Sequence, residues 1–142
     1  MTAHPCIFCA IAAGRGRAHL LHEDGLVCAF LDINPVTPGH LLVVPRRHAE
    51  YLADLTDAEH AAVFALGRRL AAALRTSGLR CEGVNYFVAD GEAAFQEVPH
   101  FHLHVFPRFG GDPFRIEADW SNPPPFDELA DPAARIRAAL SA

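Results

Sequence analysis

The sequence lacks any apolar run that approaches the length of a membrane-spanning helix, and no basic segment followed by an apolar one opens it. These two absences predict a cytoplasmic protein without a membrane partner. Positive charge is also scarce, since 12 basic and 17 acidic residues give a formal net charge of −5. This balance disfavours electrostatic binding of a DNA or RNA polymer. A phosphorylated small molecule can still bind such a protein through local histidines and backbone N–H groups.

Cysteine is sparse, and its arrangement does not suggest a disulfide framework. Cys6 and Cys9 form a Cys-x-x-Cys motif, whereas the other two cysteines are scattered along the chain. The motif alone is compatible with zinc, with redox chemistry or with two ordinary packed thiols. A zinc site needs two further ligands, and His48 and His100 are the later candidates.

The histidines of the sequence follow an unusual pattern. Polar and apolar residues alternate strictly over positions 100–105, which predicts an extended strand with two unlike faces. His100, His102 and His104 would share one face, and the apolar residues between them would face a core. Each imidazole needs partners for two ring nitrogens, so three neighbours on one face indicate a bound metal, a phosphate or both.

The rest of the chain predicts an α+β fold in a single domain, residues 1–142. A short first helix is expected from Cys6 to Ala13, and a Thr56–Glu59 capping box begins a long helix that ends near residue 77. Further strands are expected at 20–22, 26–31, 41–44 and 83–89. With the histidine strand they give an antiparallel sheet of about five strands, with the long helix on one face and short helices flanking it.

The pattern of residues 100–106, His-φ-His-φ-His-φ-φ with φ apolar, is the signature of the histidine-triad (HIT) family, which the chain resembles from Cys6 to about Arg108. A second matching stretch runs from Phe30 to Pro45, where a Pro-Gly-His ending at His40 precedes an apolar strand. The resemblance implies the HIT-like fold, with its core at about residues 5–110. It also implies a homodimer and a nucleotide as the small-molecule substrate.

For activity, the resemblance implies a hydrolase that cleaves the bond at the α-phosphate of a nucleoside 5′-phosphate derivative. The substrate would be an adenosine phosphoramidate or a dinucleoside polyphosphate, cleaved through a nucleotidyl-histidine intermediate. The candidate catalytic residues are His102 as nucleophile, His104 as phosphate ligand and aid to the leaving group, and His40 as the residue that orients a triad ring.

Two alternatives to hydrolysis stay open. The first is a nucleotidyl transferase or phosphorylase, but relatives of that kind commonly have glutamine where His104 stands. The second is a zinc-stabilised nucleotide-binding module with little activity.

The resemblance also assigns binding residues. Asp32 would accept hydrogen bonds from the two ribose hydroxyls, a task that suits a carboxylate. Gln96 stands at the usual glutamine of the phosphate loop. The base would lie against an apolar wall formed by Ile7, Phe8, Ile11, Phe30 and Ile33. One structural zinc ion per chain would be held by Cys6, Cys9, His48 and His100, and no organic cofactor is expected.

Three residues near the phosphate loop depart from the common family pattern. Phe95 replaces a glycine, Glu97 replaces a serine or threonine, and Ala89 replaces an amide residue. A phenylalanine prevents the close backbone approach to phosphate that glycine allows. An inward-pointing Glu97 would repel a chain of phosphates. The departures therefore predict a preference for phosphoramidates over dinucleoside polyphosphates.

Beyond residue 110 the resemblance fades into a tail, residues 111–142. A proline-rich linker at 122–125 precedes Asp131 and Pro132, which predict the start of a last helix over Ala133–Leu140. Trp120, the only tryptophan, could cover the active site as C-terminal aromatics do in some relatives. We expect instead that it docks the tail.

Overall fold

A computed structural model describes residues 5–142 as one five-stranded antiparallel sheet with helices on both faces. The sheet order is β1-β2-β3-β5-β4. The strands are β1 (Leu20–Glu23), β2 (Val27–Leu31), β3 (Leu41–Pro45), β4 (Gly83–Phe87) and β5 (Leu103–Arg108), and the helices are α1 (Ile7–Ala12), α2 (Asp57–Thr76) and α3 (Ala130–Leu140). The predicted α+β class is confirmed. Among residues 5–142, no helix is both long and apolar enough to span a membrane.

The long helix α2 covers one face of the sheet and begins at the predicted capping box. The Thr56 hydroxyl oxygen accepts from the Glu59 N–H at 3.1 Å, and the Glu59 carboxylate accepts from the Thr56 N–H at 3.1 Å. At Gly67 an added Cβ would lie 2.8 Å from a methyl carbon of Leu103, so glycine allows α2 to approach β5 closely. The main core, which includes Phe101, lies between this helix and the sheet.

The other face of the sheet is only partly covered. Helix α1 packs there, with Phe8 and Ile11 against Phe30 of β2 and Leu42 of β3. His104 of β5 lies on the same face, paired with Leu42 on one side and with a residue of β4 on the other. The remainder of this face is left open beside α1.

The strand that carries the triad begins later than predicted. Regular pairing of β5 begins at Leu103, so the expectation of a strand from His100 is wrong by three residues. The Phe101 N–H donates instead to the carbonyl of Ala49, at 2.6 Å. The alternation itself is confirmed, because Phe101 and Leu103 are buried in the α2-side core and the histidines point the other way.

The start of the tail is fixed by a buried carboxylate. The Asp112 carboxylate is buried and accepts from the Arg108 guanidinium at 2.7 Å and from the Phe109 N–H at 2.9 Å. Within the described chain no residue of α3 is buried. Trp120 is 71% exposed, so the expectation that it docks the tail is wrong.

Candidate active site

A cavity of about 470 Å³ opens on the α1 side of the sheet. The three predicted catalytic histidines, His40, His102 and His104, all line it, and so does Asp32. Its walls are mainly apolar and include all five of the residues expected to hold a base, namely Ile7, Phe8, Ile11, Phe30 and Ile33. Residues that are distant in sequence therefore meet around a single ligand-sized space.

His102 is held in one orientation on the floor of the cavity. Its Nδ1 lies 2.8 Å from the backbone carbonyl oxygen of His100, and its ring meets the edge of Phe8 at a centroid distance of 5.1 Å. A carbonyl oxygen only accepts, so Nδ1 carries the proton and Nε2 keeps a lone pair. Burial lowers the pKa of His102, opposed by its hydrogen bond to His100 and by the charges of Asp32 and Glu97. The ring is therefore neutral near pH 7.

His40 and His104 form a hydrogen-bonded pair beside Asp32. His40 Nε2 and His104 Nδ1 are 2.9 Å apart, and the Val36 N–H donates to His40 Nδ1 at 3.0 Å. The nearest Asp32 carboxylate oxygen lies 3.5 Å from His40 Nε2 and 4.0 Å from His104 Nδ1. Burial lowers the pKa of His40, and burial together with the neighbouring histidines lowers the pKa of His104 to about 4. Both rings are thus neutral near pH 7.

A second cluster of possible ligands lies at the N-terminal end of α1 and consists of Cys6, Cys9, His48 and His100. Their potential ligand atoms lie within 4.8 Å of one another, with Cys6 Sγ 3.3 Å from His100 Nδ1 and Cys9 Sγ 3.3 Å from His48 Nδ1. His100 Nε2 donates to the Pro45 carbonyl at 2.8 Å, which leaves Nδ1 as the ligand atom. Two thiols and two imidazoles form a donor set that suits a closed tetrahedral zinc site.

Without a metal, the thiol of Cys9 resists ionisation. Burial and the neighbouring Cys6 raise the pKa of Cys9 to about 11. A bound cation would reverse this preference, because a coordinating thiol is deprotonated.

Gln96, expected to contact the substrate, is used within its own loop. Its side-chain amide donates to the carbonyls of Glu50 at 2.8 Å and of Val98 at 3.2 Å. Its side-chain oxygen accepts from the Gly91 N–H at 2.8 Å. These three bonds fix the shape of the loop, and Gln96 is not among the residues that line the cavity.

Two of the three residues that depart from the family pattern face the cavity. Phe95 and Glu97 line it, whereas Ala89 is buried. Phe95 has φ of 70° and is 80% exposed, so its ring stands at the cavity mouth on a left-handed backbone. Glycine adopts this backbone conformation without strain, so the glycine that the family pattern implies at this position would suit it better than phenylalanine.

The sequence-based reasoning missed several residues that line the cavity. Arg17, which precedes β1, is the only lysine or arginine among the lining residues of the described chain. Phe87 at the end of β4 and Phe114 in the tail also line it. The Arg108 guanidinium holds Phe114 by lying 4.9 Å from its ring centre and donating to its carbonyl at 3.2 Å. No periodicity or motif in the sequence indicated that these residues would line the cavity.

A sequence model described as the HIT domain matches residues 14–111. The chain belongs to the HIT domain family. An uncharacterized HIT-like protein of Mycobacterium tuberculosis is 45% identical over 112 residues, which cover 79% of this chain and 77% of that protein.

Two solved HIT structures resemble most of the chain. A Zn-bound histidine triad family protein from Mycobacterium smegmatis is 40% identical, with a TM-score of 0.74 and coverage of 95% of this chain and 97% of that one. A histidine triad nucleotide-binding protein from Candida albicans is 25% identical, with a TM-score of 0.83 and coverage of 96% and 97%.

Proposed function

We propose that this HIT protein is a nucleotide hydrolase that cleaves the bond at the α-phosphate of a nucleoside 5′-phosphate derivative through a nucleotidyl-histidine intermediate. The observation that carries the proposal is the contact of 2.8 Å between His102 Nδ1 and the His100 carbonyl oxygen, which assigns the ring proton to Nδ1. Nε2 therefore has a lone pair in a ring that stays neutral, which is the state a histidine nucleophile needs. The Candida albicans relative, named as a nucleotide-binding protein, supports a nucleotide substrate.

In the first step, His102 Nε2 attacks the α-phosphorus, so that a P–N bond forms while the bond from phosphorus to the leaving group breaks. The leaving atom takes a proton from water at the cavity mouth. His104 donates a hydrogen bond to the phosphoryl oxygens, where negative charge develops in the transition state. Burial and the neighbouring histidines lower the pKa of His104 to about 4, so in the substrate-free protein its ring is neutral and can donate from one of its nitrogens.

In the second step, water attacks the nucleotidyl-histidine, and the proton that it loses neutralises the hydroxide left when the leaving atom was protonated. The P–N bond breaks, the nucleoside monophosphate leaves and the His102 lone pair is restored. The net reaction consumes one water and leaves the protein unchanged. His40 orients His104 in both steps through their hydrogen bond of 2.9 Å.

The substrate's nucleoside would lie between the apolar wall and Asp32. Phe8 and Phe30, whose rings meet edge to face at 5.4 Å, would pack against the base. Asp32 would accept from the ribose hydroxyls. Gln96 would act indirectly, by shaping the loop that carries Phe95 and Glu97 past the phosphates.

We propose that Cys6, Cys9, His48 and His100 hold one structural zinc ion. Four protein ligands leave no open coordination position, so the ion would stabilise the fold and take no part in the chemistry. The Zn-bound Mycobacterium smegmatis relative supports the metal. A homodimer and a cytoplasmic location stay predictions from the sequence.

Release of AMP from an adenosine phosphoramidate and from diadenosine tetraphosphate, each with and without added phosphate, tests the proposal. AMP release without phosphate is expected, and none from His102→Ala. ADP formed only when phosphate is present would instead indicate a phosphorylase. Nucleotide binding without turnover would indicate the zinc-stabilised binding module. That module is the second candidate because the acidic Glu97 lines the cavity in which the phosphates would lie.

A further inference from the structure

Arg17 lies in the short segment between α1 and β1, and the backbone that precedes it is fixed against the helix. The N–H groups of Arg15 and Gly16 both donate to the Ala10 carbonyl, at 2.9 and 3.0 Å. A Cβ added at Gly16 would lie 2.6 Å from Cγ1 of Ile11 and 2.9 Å from its backbone nitrogen. Glycine therefore allows this segment to pack closely against the last turn of α1.

The residues that follow Arg17 attach the same segment to the sheet. Ala18 packs against the apolar cluster that contains Phe30. The His19 carbonyl accepts from the Leu31 N–H of β2 at 3.1 Å. The backbone of Arg17 is therefore held at the edge of the apolar wall against which a base would lie.

The side chain of Arg17 is exposed and lines the cavity. Among residues 5–142 it has no hydrogen-bond or ion-pair partner. The other formally charged side chains that line the cavity, apart from the histidines, are the carboxylates of Asp32 and Glu97. The guanidinium of Arg17 is thus a hydrogen-bond donor that is available to a ligand.

The position of Arg17 suits the base of a nucleotide better than its α-phosphate. The charges that act on the pKa of His102 are those of Asp32 and Glu97. The pKa of His104 responds to Asp32 and to the neighbouring histidines. Arg17 is not among the charged groups that shift either pKa. The α-phosphate would lie at these two histidines, whereas the base would lie against the wall that Arg17 adjoins.

A guanidinium can distinguish one purine from another by their hydrogen-bonding edges. Its N–H groups donate in a fixed plane and it accepts nothing. Guanine and hypoxanthine present two neighbouring acceptors, O6 and N7, which match two of these donors. Adenine presents N7 beside an amino group, which is itself a donor. An apolar wall accepts either kind of purine, since the ring systems have the same shape, so the choice between them requires a polar group such as Arg17.

We propose that Arg17 is a specificity-determining residue that selects nucleotides with a 6-oxopurine base, guanine or hypoxanthine, over those with adenine. The inference rests on the proposed function for the orientation of the nucleotide, with its α-phosphate at His102 and its base at the wall. Adenine nucleotides would still bind through the wall and Asp32, but more weakly.

The direct test is the binding of GMP, IMP and AMP to the full-length, zinc-loaded protein, measured by isothermal titration calorimetry. We expect the wild type to bind GMP and IMP at least about fivefold more tightly than AMP, the lower end of discrimination by a bidentate arginine. Arg17→Ala should bring both ratios to about one by weakening GMP and IMP. Arg17→Lys keeps the charge but loses the planar pair of donors, so it should also lose most of the preference.

Arg69→Ala is the matched control, because it removes the same charge from an exposed position of α2 on the other face of the sheet. It should leave both ratios unchanged. The proposal is overturned if the wild type binds AMP as tightly as GMP, or if Arg17→Ala weakens all three nucleotides equally, which would place the guanidinium at the phosphate. Tight binding of GMP with IMP bound like AMP would also overturn it, since the amino group of guanine would then be recognised instead of O6.

The same titrations separate this inference from the proposed function. A wild-type protein that binds none of the three nucleotides would defeat both. Binding with the expected ratios but without turnover of a phosphoramidate would defeat hydrolysis alone and would support base selection by Arg17.

Discussion

Phe95 adopts a backbone conformation that favours glycine, and its side chain is mostly exposed. Its φ of 70° costs a residue with a Cβ about 1 kcal/mol or more, yet its ring is 80% exposed and gains little from packing. We therefore expect Phe95→Gly to raise the free energy of unfolding by up to about 1 kcal/mol. Phe95→Ala, which loses the ring and keeps the Cβ, should show no such gain. Equal urea midpoints for the two variants would contradict backbone strain at this position.

We expect the same loop to select the leaving group. Phe95 narrows the cavity mouth, and Glu97 places negative charge near His102. Phe95→Gly combined with Glu97→Ser should raise kcat/KM for diadenosine tetraphosphate relative to an adenosine phosphoramidate, because repulsion is greatest for leaving groups with several phosphates. The matched control is Glu92→Ser, an exposed acid of the same loop. A ratio that changes by less than about twofold would mean that the loop does not contact the leaving group.

At the scale of elements, the cluster of two cysteines and two histidines joins α1 to the triad segment. Protein purified without a chelator should contain about one zinc per chain, and its removal should lower the melting temperature, since a bound ion would hold the two elements together. Cys9→Ser should reduce the zinc content, whereas Cys81→Ser, at a cysteine outside the cluster, should retain it. Elemental analysis that finds no zinc in gently purified wild-type protein would contradict the metal site.

Local patterns allowed much of the secondary structure to be predicted. The capping box at Thr56 and Glu59 needs only residues three apart, and the alternation in the triad segment needs only the period of a strand. Both were confirmed. The meeting of the histidines and the apolar wall in one cavity could also be predicted, because the family resemblance implied both sets of residues.

Features that depend on distant contacts could not be predicted. β5 begins at Leu103 because the Phe101 N–H bonds to Ala49, 52 positions earlier in the chain. The Gln96 side chain likewise donates to the carbonyl of Glu50, a residue distant in the sequence, and this contact has no local signal. Phe114 reaches the cavity through an arginine contact that has no local sequence signal.

For the whole molecule, buried histidines should make stability depend on pH. Burial lowers the pKa of His40, His100, His102 and His104 from the ordinary value of 6.5, in the case of His104 to about 4. Between pH 4 and pH 6.5 the unfolded chain therefore binds more protons than the folded one. The free energy of unfolding should therefore fall as pH falls from 6.5 towards 4, with His104 contributing up to about 1.4 kcal/mol per pH unit.

Urea unfolding between pH 7 and pH 4.5, at constant zinc loading, measures this slope. His104→Asn should give a shallower dependence than the wild type, while His19→Asn, at an exposed position, should not. A wild-type stability that stays constant over this range would contradict the neutral state assigned to the buried rings.

The central claim is that His102 forms a covalent bond to the α-phosphate, and trapping that bond tests it most directly. The protein is mixed with an adenosine phosphoramidate, quenched within milliseconds in alkaline denaturant and analysed by mass spectrometry of the intact chain and of its peptides. We predict an added AMP group on His102 that is absent from His102→Ala, a variant that should still bind nucleotide but not turn it over. Wild-type turnover by His102→Ala, or an AMP group on any other residue, would contradict the claim.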